Sequence, residues 1–283
     1  MCAHSQPVLE CEDVPSIIGL AQALQCANPE SMFAMINSYT LYCDAAGGKD
    51  HGFIVVAGYL STYEKWIAFT IKWNLLLATY DLPYFHMKEF AHSTGPFAKW
   101  AKDEEHRKRF LSKAAGIISE HVERSFACIV EFDSFDKINQ QYELNDIAGV
   151  PYSLAGRSCV AKAAMHLPAL DANFVFDDGD EGRGELMRIM SRDGYPMPIF
   201  RPSRDIIKKG KTIKGIVPLQ AADFAAYEVR KVFKDDPTES WPIDRYRKSL
   251  QALSDIPTDI DDWGIFRRKE LLDLCKAAKA KKR

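Results

Sequence analysis

The chain has 283 residues, 47% hydrophobic and 27% charged, an ordinary globular composition that excludes a protein disordered over most of its length. A net charge of −2 excludes a basic nucleic-acid coat, but not a nuclease whose acidic centre offsets a basic rim. Seven widely spaced cysteines with no CxxC pair exclude a disulfide framework and a cysteine zinc site, and no apolar run approaches the ~18 residues of a membrane span.

The thiols are therefore expected reduced, in a cytoplasmic protein with no membrane partner. The first residues lack a basic start followed by an apolar stretch, so no signal peptide is expected. Residues 1–38 hold Pro7, Pro15 and Pro29 without a clear period, and read as an N-terminal extension with one short helix near Ser16 to Leu24. Residues 39–283 read as one domain. Two strands open it, 39–44 and 52–59, joined by a turn at Gly47-Gly48. Ser61-Thr62-Tyr63-Glu64 has the form of a capping box, and a helix to about Tyr80 follows with Trp66, Phe69, Trp73 and Leu77 at helical spacing.

Pro83 and Gly95-Pro96 mark residues 81–103 as irregular. A helix is expected over Glu104 to Val122, a strand over Ser125 to Phe132, and a small-residue-rich helix over Tyr152 to Leu167. Asn173 to Phe176 reads as a buried strand running into Asp177-Asp178-Gly179-Asp180. A short helix follows at Glu185 to Arg192, and a strand at Met197 to Arg201. Ile206 to Ile216 reads as a basic ribbon turning at Lys209-Gly210-Lys211. Pro218 opens a strongly apolar helix, and helices near 244–254 and 264–280 finish the chain. Strands first and alternating elements after predict an α/β mixed sheet flanked by helices, with extra C-terminal helices.

Three carboxylates sit in apolar company. Asp44 follows the first strand, Asp177 the buried strand, and Asp223 lies among Leu219, Ala222, Ala226 and Tyr227 on the apolar helix. A buried carboxylate is costly unless it is paired or binds a metal. A salt bridge or cap contact is the alternative for Asp223, and a turn role the alternative for Asp177. Brought together, three carboxylates repel unless a cation neutralises them, and hard oxygen donors suit Mg²⁺ or Mn²⁺. Two such ions support phosphodiester cleavage. The spacing after Asp178 does not make a calcium loop, and Gly210-Lys211-Thr212 lacks the earlier glycine of a phosphate loop.

The Asp44-Ala45-Ala46-Gly47 stretch, the strand ending in Asp177, and Gln220-Ala221-Ala222-Asp223 preceded by Ser203 resemble the domain-of-unknown-function-3800 family, assigned to the ribonuclease-H-like superfold. His86-Met87-Lys88-Glu89 is similar to that family's His- and Glu-containing segment. The likeness spans roughly residues 39 to 234. The family's usual opening is Asp-Glu-Ser-Gly, so alanine stands here where it has glutamate. The resemblance implies two divalent ions held by Asp44 on the first strand, Asp177 on the fourth and Asp223 on the last helix. Glu89 is then the candidate to replace the lost carboxylate, and His86 a candidate ligand or proton shuttle.

The resulting expectation is a metal-dependent nuclease or nuclease-like phosphodiester hydrolase on DNA or RNA. Arg204, Lys208, Lys209 and Lys211 would hold the phosphates. The rival expectation is a catalytically inactive nucleic-acid-binding or protein-interaction module of the same fold.

Overall fold

A computed structural model describes residues 39–167, 172–179, 181–237, 248–251, 253, 256 and 263–281. The expected N-terminal helix, and most of the one expected near 244–254, lie outside these residues.

The first hairpin follows from apolar, β-branched and aromatic sequence around a glycine-rich turn. Strand β1 (Tyr39–Gly48) pairs antiparallel with β2 (Phe53–Thr62), and Lys49–His51 make a short 3₁₀ turn between them. The turn thus lies beyond Gly47-Gly48, and β1 runs four residues past Asp44. Helix α1 (Tyr63–Thr79) starts one residue later than a Ser61 cap would set it. Thr62 is the N-cap, accepting from the Lys65 amide, while Ser61 ends in the sheet and its hydroxyl donates to the His121 carbonyl.

Residues 81–103 are more ordered than their breakers suggest. They hold α2 (Met87–His92) and a 3₁₀ turn (Gly95–Trp100), anchored by buried Phe85, Met87, Phe90, Phe97 and Trp100. After α3 (Glu104–His121) and β3 (Arg124–Glu131) come two helices the sequence reading passed over, α4 (Phe132–Tyr142) and α5 (Leu144–Ala148). Then follow α6 (Pro151–Ala164), β4 (Ala172–Asp177), α7 (Arg183–Arg192), β5 (Ile199–Arg201) and the ribbon β6 (Ile206–Lys208) with β7 (Lys211–Ile213). Helix α8 (Pro218–Asp235) and the short α9 (Lys248–Gln251) precede β8 (Trp263–Phe266) and α10 (Arg268–Lys281). The expected final helix is therefore split: its first residues add a strand to the sheet edge beside β3.

Among the described residues the main sheet has six strands in the order β5-β4-β1-β2-β3-β8. Strands β1, β2 and β3 form an antiparallel meander, while β4 runs parallel to β1, β5 to β4, and β8 to β3. Helices cover both faces. On one, α1, α3 and α8 pack Trp66, Trp73, Phe110, Ile118, Leu219 and Phe224 against Tyr42, Val55 and Val175. On the other, α4, α6, α7 and α10 cover Cys43, Val56, Cys128 and Phe176. No described helix is long and apolar enough to cross a membrane.

Alternation along the strands decides where the acids point. Tyr42 and Val175 face the α8 side, Cys43 and Phe176 the other. Asp44 and Asp177, one residue on, therefore return to the α8 side.

Candidate functional site

Strands β1 and β4 are paired in parallel, with Tyr42 opposite Val175 and Cys43 opposite Phe176. One step further along that register are Asp44 and Asp177, on neighbouring strands whose backbones run ~4.8 Å apart. Asp44 is thus mid-strand toward β2 but at the end of the ladder toward β4. Helix α8 lies across this face, and its alanines 221, 222, 225 and 226 are all buried. Small side chains let its axis approach the sheet and bring Asp223 down toward the same end.

Backbone amides donate to all three acids. Asp177 Oδ1 accepts from the Gly179 amide at 3.1 Å and Oδ2 from the Ser203 amide at 3.0 Å. Asp223 Oδ2 accepts a short hydrogen bond from the Met87 amide. Asp44 Oδ1 accepts from the Ala45 amide at 2.7 Å. All three are half-buried.

The segment before and through α2 forms the outer wall. Glu89 accepts from the Tyr84 hydroxyl at 2.9 Å and from Arg204 at 3.0 Å, and the Arg204 guanidinium stacks over the Tyr84 ring. His86 Nδ1 is 3.3 Å from Glu89 Oε1, within ion-pair range, but is not aligned as a hydrogen bond, so this buried nitrogen has no hydrogen-bond partner. Gly95 makes room for the wall: a Cβ there would stand 2.5 Å from Glu89 Oε2.

Gln220, one turn before Asp223, ties the parts together. Its Oε1 accepts from Trp73 Nε1 at 3.0 Å and from the Phe85 amide at 2.8 Å, while Nε2 donates to the Ser203 carbonyl at 3.0 Å. One buried amide thus locks α1, the His86 segment and the Ser203 segment to α8. Asp177 rests on Ser203, and Asp223 on Met87.

The electrostatics follow from this crowding. Burial pushes the Asp223 carboxyl up to about 6, with Asp177 and Glu89 adding to the rise and His86 and the Met87 amide opposing it. Burial also raises Asp177, against hydrogen bonds from Ser203 and Gly179. Burial alone would raise Glu89 too, but Tyr84, Arg204 and His86 together hold it below the usual carboxylate range.

Asp223 thus feels the charges of Asp177, His86 and Glu89, His86 approaches Glu89, and the strand register sets Asp44 beside Asp177 on the neighbouring strand. Arg204 pairs with Glu89 in this wall and keeps part of its side chain exposed. Lys208, Lys209 and Lys211 are exposed on the β6–β7 ribbon, which leaves the site immediately after Arg204. Tyr84 and Gly95 escaped the sequence reading because nothing local marks a tyrosine or glycine as the neighbour of a glutamate.

Among the described residues, no three His, Cys, Asp or Glu side chains are arranged to hold a metal ion as they stand. The donors present are oxygens, which hard cations prefer. Asp177, Asp223 and Glu89 face one guanidinium and one histidine, and burial, with Asp177 and Glu89 adding to it, raises the Asp223 carboxyl. No protein-family model, curated protein or solved structure matches this chain.

Proposed function

We propose that this protein is a divalent-metal-dependent phosphodiester hydrolase acting on nucleic acid. What supports the reading is the register that brings Asp44 and Asp177 to adjacent positions on two parallel strands, with Asp223, on the helix across that face, near enough to Asp177 for the two carboxyls to interact. The first-strand, fourth-strand and late-helix positions of these acids support the ribonuclease-H-like resemblance.

Asp44, Asp177 and Asp223 would hold Mg²⁺ or Mn²⁺, whose hard-oxygen preference they satisfy. The ions would supply an activated water and stabilise the departing oxygen. The chain's own groups do the rest. Arg204 and Tyr84 orient Glu89, whose carboxylate faces His86. His86, 3.3 Å from Glu89 and electrostatically coupled to Asp223, would hold or move a proton at Nδ1. Gln220 keeps the two walls in register.

A nuclease assay with Mn²⁺ on mixed single- and double-stranded substrates tests this. Wild type is expected to cleave and Asp44→Asn to lose cleavage. Equal activity in both, or none in either across a range of divalent ions, overturns the reading.

One observation favours a second reading, a nucleic-acid-binding module without chemistry: both Asp177 oxygens and one Asp223 oxygen already accept backbone amides. Calorimetric Mn²⁺ titration separates the two, because only the hydrolase reading predicts binding that Asp223→Asn removes.

A further inference from the structure

The β6–β7 ribbon is built against its own stability. Lys208 and Lys211 are direct cross-strand partners on one face, a like-charge pairing that destabilises a hairpin. The two-residue turn is Lys209-Gly210, with φ of +52° and +72°. That pattern favours Asn-Gly, and lysine is a poor choice in the left-handed region. Lys208 lies 3.9 Å from Asp178, and neither Lys209 nor Lys211 forms an ion pair with a described residue. On the opposite face Ile207, paired with Thr212, is 80% exposed.

The ribbon is nonetheless firmly rooted. Asp205 accepts from the Gly215 amide at 2.9 Å and from Lys214, and the Ile216 amide donates to the Pro202 carbonyl at 2.8 Å. A Cβ at Gly215 would stand 2.5 Å from the Arg204 backbone, so the two stems are in close contact. A rigid stem thus carries three cations and one aliphatic side chain outward from the Ser203-Arg204 wall of the acidic site.

We infer that this ribbon is a docking element for duplex DNA, entering the major groove on its Ile207 face, with Lys209 at the turn and the long side chains of Lys208 and Lys211 reaching sideways from the opposite face to the flanking phosphates. Three features select that partner. A polyanion relieves the lysine repulsion the fold tolerates. The major groove of B-form DNA admits a two-stranded ribbon, whereas the deep, narrow major groove of A-form RNA does not. Residues 202–217 hold no Phe, Tyr or Trp, so the ribbon lacks the stacking platforms that single strands use. Ile207 suits apolar contact with thymine methyl groups. The inference names the substrate for the hydrolase reading and rests on it for its biological meaning, but the binding itself needs no chemistry.

The test is fluorescence anisotropy in chelator, so that nothing is cleaved. The probes are a labelled DNA duplex of about two helical turns, its separated strand, and the RNA duplex of the same sequence. Wild type is expected to bind the DNA duplex most tightly. The variant Lys208→Gln/Lys209→Asn/Lys211→Gln should make the slope of log K against log salt shallower by about 2.7, at about 0.9 per lysine. Ile207→Ser should weaken duplex binding severalfold and leave the slope unchanged. Unfolding midpoints at or above wild type certify that the ribbon variants fold, since asparagine suits the turn. Equal affinity for the three probes, or an unchanged slope in the triple variant, overturns the inference. Retained duplex binding by a protein that cleaves nothing would remove the hydrolase reading and leave the ribbon's role standing.

Discussion

Replacing Gln220 with alanine removes one amide and leaves three partners without it. Gln220 is 3% exposed, and its Oε1 serves Trp73 Nε1 and the Phe85 amide. Trp73 and Phe85 are both in the core, so water cannot replace the lost acceptor. Each buried donor left unsatisfied costs about 1–3 kcal/mol. The Ser203 carbonyl, only part-buried, regains water and adds little. The sum is about 4 kcal/mol, and at about 2–4 °C per kcal/mol for a chain of this size the midpoint should fall by roughly 10 °C. Thermal and urea unfolding at neutral pH read this directly. Gln220→Glu, which keeps a carboxylate acceptor toward Trp73 and Phe85, should unfold between the two. A fall of less than about 2 °C for the alanine variant would show that this side chain does not clamp the site, since even one unsatisfied buried donor exceeds that.

Gly95→Ala should cost about 1–2 kcal/mol, because φ is +57° and the new Cβ meets Glu89 Oε2; urea midpoints check it, and the loss should shrink when Glu89 is first changed to alanine. Gly58→Ala should be harsher, at about 3 kcal/mol or more, because its Cβ would stand 1.9 Å from the Tyr42 carbonyl oxygen and that contact is backbone; normal thermal stability would refute the packing described. Asp223 has a carboxyl raised from 3.8 to about 6, so the folded state binds its proton more tightly than the unfolded chain does. Its contribution to stability is therefore fully present below about pH 4 and is lost as pH rises through about 6, by up to about 3 kcal/mol. In chelator, Asp223→Asn should flatten that part of the stability–pH curve, and an unchanged slope would mean the carboxyl is not desolvated.

The candidate acids were legible because they break strong local patterns. Asp223 interrupts an otherwise apolar helix, and Asp177 ends a run of bulky strand residues. Asp44 was legible for a weaker reason: the strand continues past it, and what ends there is its pairing with β4, a long-range fact. The small elements were not legible. Residues 87–100 read as irregular because Pro83 and Gly95-Pro96 punctuate them, yet five buried apolar side chains between 85 and 100 hold them in short helical turns. Thr62 caps α1 rather than Ser61 because Ser61 is fully buried in the sheet and bonded to His121, a tertiary contact that outranks the capping-box pattern. Trp263–Phe266 reads as the start of a helix, but the open edge of β3 takes it as a strand. Gln220 stood in view as part of a motif, while its three partners, 17 to 147 residues away in sequence, could be found only in the fold.

Calorimetric titration of Mn²⁺ into wild type and into Asp44→Asn, Asp177→Asn and Asp223→Asn at neutral pH probes the carboxylate cluster most directly. Saturable binding in wild type, weakened in each of the three variants, is the predicted result. No uptake by wild type, or uptake that all three variants retain, would mean that these acids do not form a cation site.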